Sequence, residues 1–190
     1  MNNSTIVFRQ LFESVSCTYT YIVACAQTRV AAIIDPVLET AERDAKLIKE
    51  LDLDLRYGLN THVHADHITG TSALTKSFPK MVAALSDAAK EAKADRYLAH
   101  GEKIPLGKLT LECRHTPGHT DGCVSYLLAS EEMIFSGHLA TSVGEEKKYN
   151  PRMTLSREKF IDFMHNLKLE YPKQIERALP ANLRNGEMQG

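Results

Sequence analysis

Residues 61–67 read THVHADH, which sets His62, His64, Asp66 and His67 within six positions, with the Thr61 hydroxyl beside them. Packing has no use for such a cluster, and neighbouring imidazolium charges would repel one another. Neutral imidazoles and a carboxylate are instead the donors that a metal takes at about 2.0–2.2 Å. His62 and His64 lie two apart after a strand, so in an extended turn they can converge on one ion. Asp66 and His67 follow where a helix begins and can face a second position. One short loop cannot fill a coordination sphere, so another segment must contribute. TPGHTDG at 116–122 is the candidate. Its Pro117-Gly118 pair makes a tight turn after a strand and sets His119 at a sheet edge.

Both motifs need strands to deliver them. Residues 6–11, 19–26 and 29–35 are rich in β-branched and aromatic residues, and Asp35-Pro36 ends the third strand. Residues 39–51 read as a helix, with Ala41, Ala45, Ile48 and Leu51 near one face. The strand 55–60 feeds THVHADH, and a short helix over 68–77 leaves it. A strand over 81–85 and a helix over 86–94 with Ser86 as its N-cap come next. The strand 109–114 feeds TPGHTDG, and 124–128 with 133–136 reads as a hairpin. Phe160, Phe163, Met164 and Leu167 form the stripe of an amphipathic helix over 156–167, and Pro180 with two later glycines marks a loose tail. Alternating strands and helices, then a strand-rich middle, imply a layered α/β fold with sheets inside.

Composition narrows the function. A chain of 190 residues with 43% hydrophobic content suits one domain with a sizeable core. Lys and Arg number 23 against 24 Asp and Glu, so no basic excess points to nucleic acid or an acidic membrane surface. No apolar run approaches the ~20 residues of a membrane span. Neither a signal peptide nor an Arg- and Ser-rich presequence is legible at the N-terminus. Cys17, Cys25, Cys113 and Cys123 form no Cys-x-x-Cys pair and sit in or beside apolar stretches. They read as buried thiols of a reducing compartment, the cytosol or the mitochondrial matrix.

His-x-His-x-Asp-His after a strand, with a Gly-His turn some fifty positions on, resembles the metal motif of the metallo-β-lactamase superfamily. The segments FRQLFESVSCTYTYIVA, IIDPVLETAERD, NTHVHADHITGTSAL, TPGHTDGCVSYLL, NPRMTLS and PANLRNG sharpen the likeness. Together they resemble the persulfide dioxygenases, mitochondrial enzymes of sulfide catabolism. The similarity runs through residues 4–136 and resumes over 143–186. It implies an αββα sandwich with the metal at one edge of two sheets. It also implies one Fe(II) per chain, with Zn as the alternative metal. The reaction implied takes glutathione persulfide and O₂ to sulfite and glutathione, with no catalytic groups beyond the metal ligands. In this family the iron is held by the first His of the motif, the His of the Gly-His turn and an Asp after the next hairpin. The first two correspond to His62 and His119. His64, Asp66 and His67 would then support these ligands, or bind a second metal as in two-metal relatives, with Asp66 the natural residue to orient the imidazoles. Arg152, in NPR, corresponds to an arginine that binds a glutathione carboxylate. The location implied is the mitochondrial matrix, or the cytoplasm where no presequence exists. A homodimer is an allowed assembly.

One departure stands out. After the hairpin the family reads Thr-Gly-Asp, whereas this chain reads FSGHLATSVGEE, with His138 where the Asp ligand belongs. A family segment of a few tens of residues is then absent near 137–139. The expectation is therefore a single domain over 1–190 that is incomplete in its C-terminal half, with an exposed sheet edge. His138 becomes the candidate third donor beside His62 and His119, since a three-imidazole site binds Zn²⁺ or Fe²⁺. Two other functions fit the same residues. One is a thioesterase like hydroxyacylglutathione hydrolase, with His62, His64 and His119 at one metal and Asp66 and His67 at another. The other is a truncated, non-catalytic isoform.

Overall fold

The strand Thr18–Cys25 shows why the chain forms layers. Tyr21, Val23 and Cys25 point to one buried side, and Ile22 and Ala24 to the other, also buried. A strand covered on both faces belongs in the middle of a sandwich. In the computed structural model this strand is β2 of a six-stranded sheet. Residues 5–137, 139–141, 148, 150–152, 154–168 and 171–188 are described. The order is β1 (Ile6–Glu13), β2, β3 (Val30–Ile34), β4 (Asp54–Leu59), β5 (Val82–Ser86) and β6 (Arg96–Leu98). β1 to β3 pair antiparallel, and β3 to β6 pair parallel. A second, antiparallel sheet contains β7 (Lys103–Leu106), β8 (Leu109–His115), β9 (Val124–Leu128), β10 (Met133–Ser136) and β11 (Leu139–Thr141).

Two apolar layers hold the sandwich. Between the sheets, Tyr21, Val23, Ile34 and Leu59 meet Leu111, Tyr126 and Phe135. Outside the first sheet, α1 (Ala41–Glu50) and α2 (Thr71–Ser77) cover Ile22, Ala24, Ala31 and Ile33 with Ala45, Ile48 and Leu74. The outer face of the second sheet differs. It presents Lys103, Thr110, Glu112 and Arg114, and among the described residues no buried apolar cluster covers it. The αββα sandwich is thus complete on one side and thin on the other. The edge of β10 is nevertheless paired, because the chain turns at Gly137 (φ +55°) and Leu139–Thr141 runs back along it. Among the described residues, β11 is then the end strand of this sheet. Among the described residues, no helix is long and apolar enough to cross a membrane.

Several local readings change. The helix expected over 86–94 is one 3₁₀ turn, Asp87–Ala89, although Ser86 caps it by accepting the Ala88 N–H at 3.1 Å. The helix leaving the metal loop starts only at Thr71, since Ile68 and Thr69 are spent on contacts to other elements. β6 and β7 are too short to read from periodicity. β7 carries Pro105, which an edge strand tolerates because no ladder hydrogen bond is lost. Cys17 is exposed in a turn with φ +57°, while Cys25, Cys113 and Cys123 are buried as expected. The amphipathic helix is α3 (Arg157–His165), but it buries no residue, and Phe160 and Phe163 stay exposed.

The tail expected to be loose is a helix, α4 (Ile175–Asn182). Its Ala178 and Ala181 pack on Ile68 of the metal loop, and Pro180 within it has no backbone N–H to give the helix. Gly186 closes this junction in the left-handed region (φ +79°), where a Cβ would fall 2.2 Å from the Thr69 carbonyl oxygen. Gly186→Ala is expected to cost roughly 1–3 kcal/mol, from the strained φ and from displacement of the tail. Urea denaturation reads it, and an unchanged midpoint refutes this packing.

Candidate metal centre

β3 and β4 are parallel neighbours, so their carboxyl ends lie side by side. Asp35 follows β3, and its N–H bonds the Leu59 carbonyl at 2.8 Å. It takes a left-handed conformation, φ +48°, which Asp visits more readily than most residues. This turn directs its fully buried carboxylate at the metal loop. Oδ1 accepts the Thr61 N–H at 2.7 Å and the His64 Nε2–H at 2.9 Å, and Oδ2 accepts the Thr61 hydroxyl at 2.9 Å. That hydroxyl has then given up its only proton. Its oxygen must accept from His62 Nδ1–H, 3.0 Å away, which leaves the lone pair of His62 on Nε2. His67 is tied likewise, with Nδ1 3.1 Å from the Thr18 hydroxyl. Each of the three imidazoles has one nitrogen held by a fixed oxygen, the arrangement that metal-binding histidines use to set their tautomer and ring plane.

The remaining nitrogens supply the donors. Among the described residues, His67 Nε2 is buried without a hydrogen-bond partner, a costly state unless an ion completes it. His64 Nδ1 lies 3.7 Å from Asp66 Oδ1. Ligand atoms of His64, Asp66 and His67 all fall within 4.8 Å of one another. The His62 ring lies 4.0 Å, centre to centre, from that of His64, tilted at 47°. His119 arrives from the second sheet on the loop between β8 and β9, and its ring meets His62 edge-on at 4.9 Å between centroids. The two motifs are pinned together where the Val124 N–H bonds the Thr61 carbonyl at 2.8 Å. This donor set fits a divalent first-row metal.

His119 is exposed and borders two cavities. One, of about 240 Å³, is also lined by Thr61, His62, Cys123 and Ser136. The other, of about 450 Å³, is lined by Ser16, Cys17, Asp66 and Pro172. The site is therefore closed below, where His62, His64 and His67 are buried, and open above.

Charges among the site's own side chains oppose one another. Burial, with the neighbouring His64, drives His62 down to about 2. Burial would also depress His64, but the Asp35 carboxylate and its hydrogen bond outweigh it and raise His64 to about 9. Asp66 is held well below the usual carboxylate range, because hydrogen bonds from His64 and His67 overcome the cost of burial. The signs set a pH profile. The raised His64 contributes stability in full below its unfolded value of about 6.5, and this is lost as pH rises through about 9. The depressed His62 contributes above about 6.5, and this is lost as pH falls toward about 2. Metal-free protein is thus expected to be most stable near pH 6.5, with urea midpoints falling on both sides. A flat profile between about pH 5 and pH 9 contradicts these assignments.

Residues 15–161 match the metallo-beta-lactamase superfamily. The chain is 39% identical to the mitochondrial persulfide dioxygenase ETHE1 of Mus musculus, over 97% of this chain and 91% of that one. The crystal structure of ETHE1 from Myxococcus xanthus superposes with a TM-score of 0.87 at 36% identity, covering 95% of this chain and all of the other. The chain belongs to the persulfide dioxygenase family. More distantly, it is 30% identical to the hydroxyacylglutathione hydrolase of Rhodospirillum rubrum, over 74% of this chain and 54% of that protein. The alignment with the mouse dioxygenase spans 231 positions, more than the 190 residues here, so that relative has residues with no counterpart in this chain.

Against this family background, His62, His64, Asp66, His67 and His119 come together as the two motifs require. Arg152 does not join them. Its guanidinium lies 4.9 Å over the Phe163 ring, and neither cavity beside the histidines is lined by it. His138 lies outside the described residues. Asp66, expected to orient the imidazoles, lies 3.7 Å from His64 Nδ1 and 3.4 Å from His67 Nδ1, while the shorter contacts to Thr61 and His64 come from Asp35, which sequence reasoning missed. Its sequence signals were an acidic residue closing an apolar strand, AAIID, and its place in the family-like segment IIDPVLETAERD. Asn182, in the presumed loose tail, was also missed, and its amide contacts the backbone of the metal loop.

Proposed function

We propose that this chain oxidises glutathione persulfide with O₂ in sulfide catabolism, using one Fe(II) held by His62 and His119. The observation that carries the reading is the meeting of these two rings beside an open cavity, in a chain so similar to persulfide dioxygenases. Fe(II) bound there would supply the redox chemistry that activates O₂ toward the persulfide sulfur. The balance is simple. The sulfane sulfur yields four electrons to O₂, one water adds, and sulfite, glutathione and two protons leave. The protein's part is positioning. Asp35 fixes Thr61, Thr61 keeps His62 in its Nδ1–H form, and His119 forms a wall of both cavities. Arg152 would leave the Phe163 ring, over which it lies, to offer its N–H fork to a glutathione carboxylate. We place the residues that the longer relatives carry near 137–139, where the chain turns at Gly137 and where, among the described residues, no buried apolar cluster covers the outer face of the second sheet. The mitochondrial matrix is the compartment this reading favours. Iron-loaded protein is expected to consume O₂ with glutathione persulfide and release sulfite in equal amount. No sulfite from protein holding one iron per chain refutes the activity.

A second reading rests on the buried group His64, Asp66 and His67, whose donors lie within 4.8 Å. With a metal there and another at His62 and His119, the site resembles that of a two-metal thioester hydrolase. Two equivalents of metal per chain, with hydrolysis of a glutathione thioester and no O₂ uptake, would select it.

A further inference from the structure

The backbone of the metal loop is gripped from far away in the sequence. Asn182 ends α4, and its side chain is buried under the loop. Its Oδ1 accepts the Thr69 N–H at 2.8 Å. Its Nδ2 donates to the carbonyl of His64 at 2.8 Å and to that of His67 at 2.7 Å. The amide orientation is forced, because the flipped form would face oxygen to two carbonyls and N–H to N–H. The helix that carries it is seated by Ala178 and Ala181 on Ile68, within the loop's own exit.

We infer that Asn182 is a positioning residue for the metal centre, an inference that rests on the reading of this loop as metal-binding. The two carbonyls it holds belong to His64 and His67, the histidines on either side of Asp66 in the metal loop. Fixing them sets where the His64 and His67 side chains start, while Asp35 and Thr18 fix where their rings end. One acceptor and two donors on a short planar arm is the inventory of asparagine. Aspartate at 182 keeps the acceptor for Thr69 but sets a second oxygen against two carbonyls. Alanine removes all three bonds and lets water into the small void between Asn182 and His62.

The test uses chelator-stripped full-length chain titrated with Co²⁺. Its visible bands report coordination geometry, and the titration gives the affinity. Asn182→Asp is expected to bind Co²⁺ about tenfold to a hundredfold more weakly, with altered bands, as outer partners of metal ligands do when changed. Asn182→Ala gives the same reading should the Asp variant fail to fold. Ile48→Ala, in the layer between α1 and the first sheet, is the control for lost stability alone and is expected to bind as wild type. Asn182 variants that bind within twofold of a metal-binding wild type overturn this inference only. Wild-type chain that takes no Co²⁺ overturns it together with the metal reading.

Discussion

Asp35→Ala is expected to destabilise the metal-free protein by about 3–5 kcal/mol, the range for breaking a buried charged pair from one side. The carboxylate is fully buried and accepts three hydrogen bonds, from His64 Nε2, the Thr61 amide and the Thr61 hydroxyl. Removing it strands the ring nitrogen and the amide where water does not reach, each at a cost of about 1–3 kcal/mol. It also frees the Thr61 hydroxyl to donate, so His62 is no longer held with Nε2 as its lone-pair atom. Asp35→Asn keeps one acceptor and the volume, and is expected to lose less. Urea denaturation of chelator-stripped protein reads both. An alanine variant within about 1 kcal/mol of wild type would mean that these bonds contribute little net stability.

Metal removal is expected to have a comparable effect. At free metal about a thousandfold above Kd, binding to the folded state alone adds about 4 kcal/mol. For a chain of this size that corresponds to a melting temperature lower by roughly 8–16 °C after chelation. Substitutions assign the donors. If the ion sits between His62 and His119, His119→Ala abolishes the chelator response and His67→Ala largely preserves it. If His64, Asp66 and His67 hold the ion, the pattern reverses. His138→Ala weakens binding only if that imidazole is the third donor. A chelator-insensitive melting temperature in metal-reconstituted wild type removes the metal from this fold altogether.

The sequence by itself determined the layers and which histidines meet. THVHADH and TPGHTDG each follow a strand, and a short segment leaving a strand has few places to go. Knowing the two strands was enough to expect His62 and His119 at one sheet edge, where their rings lie 4.9 Å apart. Alternation in β2 and the stripe of α1 made the core legible for the same reason, since local periodicity encodes which face is buried. The stripe of α3 shows the limit. Periodicity specifies a face but not its cover, and Phe160 and Phe163 remain exposed. What only the tertiary structure decided is how the donors are held. Asp35 stands 29 positions before His64 and Asn182 stands 118 after it, and neither residue type is unusual at a strand end or in a tail. Their roles arise because parallel pairing sets the ends of β3 and β4 side by side, and because apolar packing on Ile68 turns a Pro-containing tail into a helix. A hydrogen bond depends on a few tenths of an ångström in three dimensions, and that precision is set by the assembled core rather than by spacing along the chain.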